Sequence, residues 1–314
     1  MKIFIYHLLS CLAFVFAAGS LEQFNGPNPK PLQAKQVVAA HASVNDMRAT
    51  TDSCATCHED EVDSYTNSIH AHSWKANLSC AECHGDATAH MASGGAKNTI
   101  VSMKNLSPND LSKTCITCHE KTGEQSHTKL SEHFRAGVGC TSCHDVHPSA
   151  EQKAKMTSIG KSAMLKGNQS ELCLSCHSKT SADFNKPTHH RLKEGVMDCS
   201  SCHNPHGSTQ EHQLRADSKT LCASCHQDKR GPFVFEHNAQ TIDGCMACHE
   251  SHGSSSRNML KTQDPRQLCI SCHSKETGVG VPHGRANFSL QTTGDCTRCH
   301  TAIHGSNHDE FLVR

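Results

Sequence analysis

A five-residue unit, Cys-x-x-Cys-His, recurs ten times along this chain of 314 residues, and its chemistry limits what the chain can become. Two thiols three residues apart can each add to a vinyl group of one haem, and the histidine that follows turns under the ring to bind its iron. The thioether cysteines are Cys54 and Cys57, Cys80 and Cys83, Cys115 and Cys118, Cys140 and Cys143, Cys173 and Cys176 in the first half. They continue as Cys199 and Cys202, Cys222 and Cys225, Cys245 and Cys248, Cys269 and Cys272, Cys296 and Cys299. The proximal iron ligands are His58, His84, His119, His144, His177, His203, His226, His249, His273 and His300. Zinc knuckles or a disulfide framework would also use paired cysteines, but neither needs a histidine directly after every second one.

The motifs account for 20 of the 21 cysteines, and the remaining one, Cys11, falls in the apolar N-terminal run, so no thiol is left for a structural disulfide. Only 4% of the residues are aromatic and 35% hydrophobic, too little apolar volume for a conventional core in a chain of this length. Ten covalently bound haem c groups supply that bulk. The expected fold is a multihaem cytochrome c, short helices and loops wrapped around a linear array of ten haems with little or no sheet. Folding is then coupled to haem attachment, and the haem-free chain is expected to be largely unfolded. The formal net charge is zero, so no basic excess points to a nucleic acid.

Residues 1–20 read as a cleaved signal peptide, with Lys2 before an apolar run from Ile3 to Phe16 and small residues Ala17, Ala18, Gly19 and Ser20 after it. The run is short for a membrane span of about 20 residues. Residues 21–53 form a lead-in in which Pro27, Pro29 and Pro31 oppose helix. A helix is expected over 33–47, with His41 exposed on it. Residues 54–314 form the decahaem electron-transfer domain, five pairs of motifs with a period of about 60 residues early and about 50 later. First members of a pair follow helix-start signals: Asp264-Pro265 before Cys269, and Ser170 and Ser218 as expected caps before Cys173 and Cys222. Second members follow loops, such as Gly137-Val138-Gly139 before Cys140 and Gly244 before Cys245.

Each interval after a motif holds at least one further histidine. One per interval gives His70, His90, His133, His147, His190, His206, His237, His252, His283 and His304 as distal ligands. His147, His206 and His252 follow their motif histidine by three residues, His304 by four and His90 by six. A histidine so close cannot wrap round the ring to the opposite face of the same iron, so it serves a different haem. Ten bis-histidine irons would have lower potentials than His/Met irons and no open position for a substrate. This favours conduction over catalysis.

Several stretches carry a resemblance to a known family: Cys199 to Ser208, Lys229-Arg230-Gly231-Pro232 with Glu236-His237, Cys245 to Ser254, Asn258 to Lys261, and His304 to His308. From about Cys54 to Arg314 the chain resembles the MtrA/DmsE-type decahaem periplasmic cytochromes of outer-membrane electron conduits. The resemblance implies a periplasmic protein associated with the outer membrane, seated inside a β-barrel porin and active in anaerobic respiration. It implies a quinol-linked cytochrome of the periplasm or inner membrane as donor, and an extracellular multihaem cytochrome or surface reductase as acceptor. The alternatives are a soluble periplasmic electron shuttle or store and, further off, a multihaem reductase.

Overall fold

Each motif closes one turn of helix on itself. The backbone amide of the motif histidine donates to the carbonyl of the first cysteine, as in His58 to Cys54 at 2.9 Å, His203 to Cys199 at 2.9 Å and His300 to Cys296 at 3.0 Å. Positions three and four apart lie on one helical face, so this turn turns both thiols and the imidazole toward the same side. The computed structural model describes residues 51–72, 78–151, 164–273 and 295–313. The expected signal peptide, the lead-in up to residue 50 with the helix over 33–47 and His41, and His283 lie outside them. The chain divides into two compact units, Met1–Gln33 and Ala34–Arg314, and every described residue belongs to the second.

The odd-numbered motifs after the first ride on capped helices. Helix Pro108–His119 begins at Ser107, whose hydroxyl accepts from the Asp110 amide at 3.2 Å, with proline in the first turn. Helix Pro265–Ile270 begins at Asp264 in the same way, as its sequence predicts. The other two starts lie upstream of the expected serines. Asn168 caps Gln169–Leu174 through the amides of Ser170 and Glu171, and Asp217 caps Ser218–Ala223 through the amide of Thr220. The physical reason is that Ser170 and Ser218 are already inside the first turn, whose free amides need acceptors, and the side-chain oxygen of Asn168 or Asp217 supplies one. Even-numbered motifs open instead from extended residues, including Gly139 before Cys140, or, before Cys245, from Gly244 at positive φ.

After an even motif the chain makes a small closed loop. His203 bridges Leu214 and His249 bridges Leu260, as His144 bridges Leu165. The loop returns through non-glycine residues at positive φ, His212 and Gln213 in one copy, Asn258 and Met259 in the next. That conformation costs of order 1 kcal/mol or more per residue and persists only where the surroundings enforce it. Sheet among the described residues is confined to β1 (Thr188–His189) and β2 (Gly253–Ser254), paired antiparallel with Thr188 opposite Ser254.

The same loop docks on the segment that follows the motif three places earlier. Asn204 Nδ2 donates to the Glu124 carbonyl at 3.1 Å, Arg215 pairs with Glu124 at 2.9 Å, and Ser64 Oγ donates to the Pro148 carbonyl at 2.8 Å. Phe235 and Ser306 form a bridge of the same kind near the end of the chain. His206-Gly207, His252-Gly253 and His304-Gly305 use glycine for this approach. A Cβ on Gly207 would stand 2.6 Å from the His127 carbonyl oxygen, one on Gly253 would meet the Asp183 carbonyl, and one on Gly305 the Phe233 ring. Conventional packing is slight. The buried hydrophobic residues are Tyr65, Ala87, Leu111, Ile116, Met164, Leu165, Phe184, Leu192 and Ala223.

Gly207→Ala is expected to destabilise the holoprotein by about 1–3 kcal/mol, because the methyl overlaps backbone at a positive φ. Gly123→Ala, whose Cβ meets nothing within 4 Å, serves as the control. Thermal unfolding followed by circular dichroism should show a lower midpoint for the first variant only.

Candidate haem-binding sites

Nine motif histidines each face a second imidazole across a nearly constant gap. His58 faces His90 at 6.3 Å between ring centres, His119 faces His70 at 6.0 Å, and His84 faces His147 at 6.5 Å. His177 faces His133 at 6.0 Å, His144 faces His206 at 5.9 Å, and His226 faces His190 at 6.2 Å. His203 faces His252 at 6.1 Å, His273 faces His237 at 6.1 Å, and His249 faces His304 at 6.2 Å. The angle between the rings ranges from 14° to 76° while the distance stays fixed. Ring stacking would constrain the angle as well as the distance. A common ion between the rings fixes only the distance, because each imidazole can rotate about its own metal–nitrogen axis. Two metal–nitrogen bonds of roughly 2 Å each, extended to the ring centres, account for a span of about 6 Å.

The pairing follows a rule. A motif histidine of odd number from the third onward faces a histidine from the interval two motifs earlier: His119 with His70, His177 with His133, His226 with His190, His273 with His237. One of even number faces a histidine two motifs later: His84 with His147, His144 with His206, His203 with His252, His249 with His304. At the N-terminal end His58 takes His90 from the neighbouring interval. Of the ten distal candidates, nine stand opposite a motif histidine, and the tenth, His283, lies outside the described residues.

The rings are held by backbone carbonyls, which can only accept. His84 Nδ1 donates to Val101 at 3.1 Å, His203 to His212 at 2.8 Å, His249 to Asn258 at 2.8 Å and His300 to Phe311 at 2.6 Å. The residues at positive φ in the even loops, His212 and Asn258, are the ones that present these carbonyls. Among the distal candidates His90 donates to Ala96 at 3.1 Å, His147 to Glu61 at 3.2 Å, His133 to Pro205 at 3.0 Å and His190 to Ser251 at 2.7 Å. The Ile303 carbonyl lies beside the His237 ring. A proton on Nδ1 leaves the Nε2 lone pair free, the tautomer a metal needs. Burial lowers the pKa of His206 and His252, and the facing His144 and His203 lower it further. Burial lowers that of His70 too, with His119 next in size. Neutral imidazole is the metal-binding form.

The cysteines give the order in which motifs meet. First cysteines lie beside one another within a pair: Cys54 by Cys80, Cys115 by Cys140, Cys173 by Cys199, Cys222 by Cys245, Cys269 by Cys296. Second cysteines lie near one another between pairs: Cys83 by Cys118, Cys143 by Cys176, Cys202 by Cys225, Cys248 by Cys272. Contact therefore passes from each motif to the next in chain order. Sequence reasoning missed this alternation, and the Cys-x-x-Cys spacing contains it only as two thiols at opposite ends of one helical turn. It also missed the carbonyl acceptors, since any residue can supply one.

The residues thus fit c-type haem by donor chemistry and spacing. The family described as doubled CXXCH motif matches residues 189–231 and 237–278, and the family described as cytochrome c-type protein NrfB-like matches 80–167. The chain is 37% identical over 277 residues to the multiheme cytochrome MtrA of Shewanella baltica, covering 82% of this chain and 78% of that one. It is 24% identical over 188 residues to the cytochrome c-type protein NrfB of Escherichia coli O6:H1, covering 58% of this chain and 94% of that one.

His304→Ala is expected to leave covalent haem attachment unchanged and to convert one low-spin haem to high spin, read by electron paramagnetic resonance. His206→Met is expected to keep the same haem complement and raise the potential of one haem, read by spectroelectrochemistry.

Proposed function

Because this chain belongs to the MtrA family of multihaem c-type cytochromes, which are electron-transfer proteins and not enzymes, we propose that it conducts electrons along ten bis-histidine haems across the outer membrane. The observation that carries this reading is the unbroken alternation of first-cysteine and second-cysteine contacts from Cys54 to Cys296. Thioether bonds are the points where a haem edge meets the polypeptide. Adjacent thioethers bring adjacent haem edges together, and close edges are what electron exchange requires. Bound haem supplies a reversible one-electron change at iron. The residues of the chain fix the axial direction, keep both axial positions filled and set the order of exchange.

In this reading His300 takes its second ligand from His283, the interval candidate left over by the pairing rule. The protein is exported by a cleaved signal peptide spanning residues 1–20 and works in the periplasm at the outer membrane. The described residues include no helix long and apolar enough to cross a bilayer. A coat of short helices and loops also leaves backbone groups that hydrocarbon cannot satisfy. Crossing therefore calls for a proteinaceous sheath, and a β-barrel porin meets that need. A quinol-linked cytochrome on the periplasmic side feeds the chain, and an extracellular multihaem cytochrome or surface reductase drains it during anaerobic respiration.

Purification from membranes in mild detergent tests this function. Co-isolation of a stoichiometric outer-membrane β-barrel is the expected result. Recovery as a free periplasmic cytochrome, with no barrel under the same conditions, would instead favour a soluble shuttle or store. Haemochrome absorbance and intact mass should give ten haems per chain, and a smaller number would remove the continuous path.

A further inference from the structure

Three of the distal imidazoles share a feature beyond facing a motif histidine. His133 donates to the carbonyl of Pro205, the residue directly before His206. His190 donates to the carbonyl of Ser251, directly before His252. His237 lies beside the carbonyl of Ile303, directly before His304. The same peptide in each case leads into a histidine that faces a different motif: His206 faces His144, His252 faces His203 and His304 faces His249. The donors face the motif that comes next: His133 faces His177, His190 faces His226 and His237 faces His273.

Resting on the bis-histidine reading above, we propose that the carbonyls of Pro205, Ser251 and Ile303 are positioning groups that tie the axial ligands of consecutive haems together and lower the potentials of the three haems held by His133, His190 and His237. The physical basis is charge. An imidazole bound to ferric iron has a more acidic Nδ1 proton than one bound to ferrous iron, so a carbonyl acceptor favours the ferric state. The bond from His190 to Ser251 is short and partly buried, which makes the effect there larger than it would be in water. Oxidation at the haem of His226 tightens the bond from His190 to Ser251. That peptide is covalently continuous with His252, so the change reaches the ligand of the haem at His203 through one hydrogen bond and one residue. The three links join the fourth motif to the fifth, the sixth to the seventh and the eighth to the ninth. These are the junctions between pairs, where the second cysteines also meet.

The test removes the proton and keeps the ligand. His190→Nδ-methylhistidine retains Nε2 and loses the donor. His304→Nδ-methylhistidine is the control, since the His304 ring makes no hydrogen bond among the described residues. Spectroelectrochemistry of the holoprotein should show one haem at higher potential in the first variant and an unchanged distribution in the second. Equal shifts in both variants, or none in either, would overturn the proposal. A second measurement does not depend on either variant folding. In reduced protein carrying 15N-histidine and 13C-carbonyl proline, a coupling across the hydrogen bond between His133 Nδ1 and the Pro205 carbonyl is expected. Its absence, with the ring proton exchanging freely in heavy water, would also overturn the proposal. The underlying ligation is checked separately on the parent protein, where a set of high-spin haems would refute that reading and not the hydrogen bond alone.

Discussion

Everything in this fold depends on pairs of imidazoles brought to a fixed separation from distant parts of the chain. In an ordinary domain of this size the hydrophobic effect closes the long loops. Here the buried hydrophobic residues among those described are few, and two of them are alanines. Bringing His84 opposite His147, or His144 opposite His206, costs loop entropy that such contacts cannot offset. A metal bond shared by two rings can, and so can the apolar macrocycle around it. The closed loops after the even motifs and the glycine approaches at Gly207, Gly253 and Gly305 then become understandable as supports. They deliver one imidazole to a point that is defined by another.

Two interaction ranges are superimposed on the repeat. Cysteine contacts link each motif to its immediate neighbours, in the manner of stacked repeat proteins. Imidazole pairing reaches two motifs away and docking three. A unit of two motifs cut from the middle would therefore lack all of its facing rings, and the ends need a different solution. His58 has no interval two motifs earlier to draw on, and takes His90 from the adjacent one. The array is thus more cooperative than a nearest-neighbour stack.

What was legible in the sequence was local. The ten motifs, the family, the class of short helices with almost no sheet, and the Asp264 cap with Pro265 all follow from residues within a few positions of each other. The expected caps at Ser170 and Ser218 were off by one or two residues, because Asn168 and Asp217 offer equally good acceptors just upstream. The spacing argument picked one histidine per interval, and nine of those ten stand opposite a motif histidine. It said that His206 could not serve its own motif, yet could not say that it faces His144. That fact depends on contacts between segments distant in sequence, such as Asn204 with Glu124 and Gly207 with His127. The carbonyl acceptors were invisible for a different reason: a backbone carbonyl carries no sequence signature, and only the turn at His212 or Asn258 aims it.

On the proposed reading, two imidazoles on each iron would also explain why this arrangement suits conduction. An iron flanked by two imidazoles changes charge by one unit without changing its ligands, so little has to reorganise when an electron arrives. Where a carbonyl accepts from Nδ1, as at His190, His203 and His249, the ring is fixed in tautomer and direction before any transfer. Burial works in the same sense at His206 and His252, keeping the rings neutral and bound. A catalytic haem needs the opposite, a ligand that can leave and a cavity where substrate can approach. In each of the nine described pairs two imidazoles from loops anchored elsewhere face each other across about 6 Å, so on the proposed reading both sides of an iron between them would be taken. Were each pair to share one iron, releasing a ring would loosen a link between motifs as well as open the iron, so the constraint that holds the chain together would also keep its metals closed to substrate.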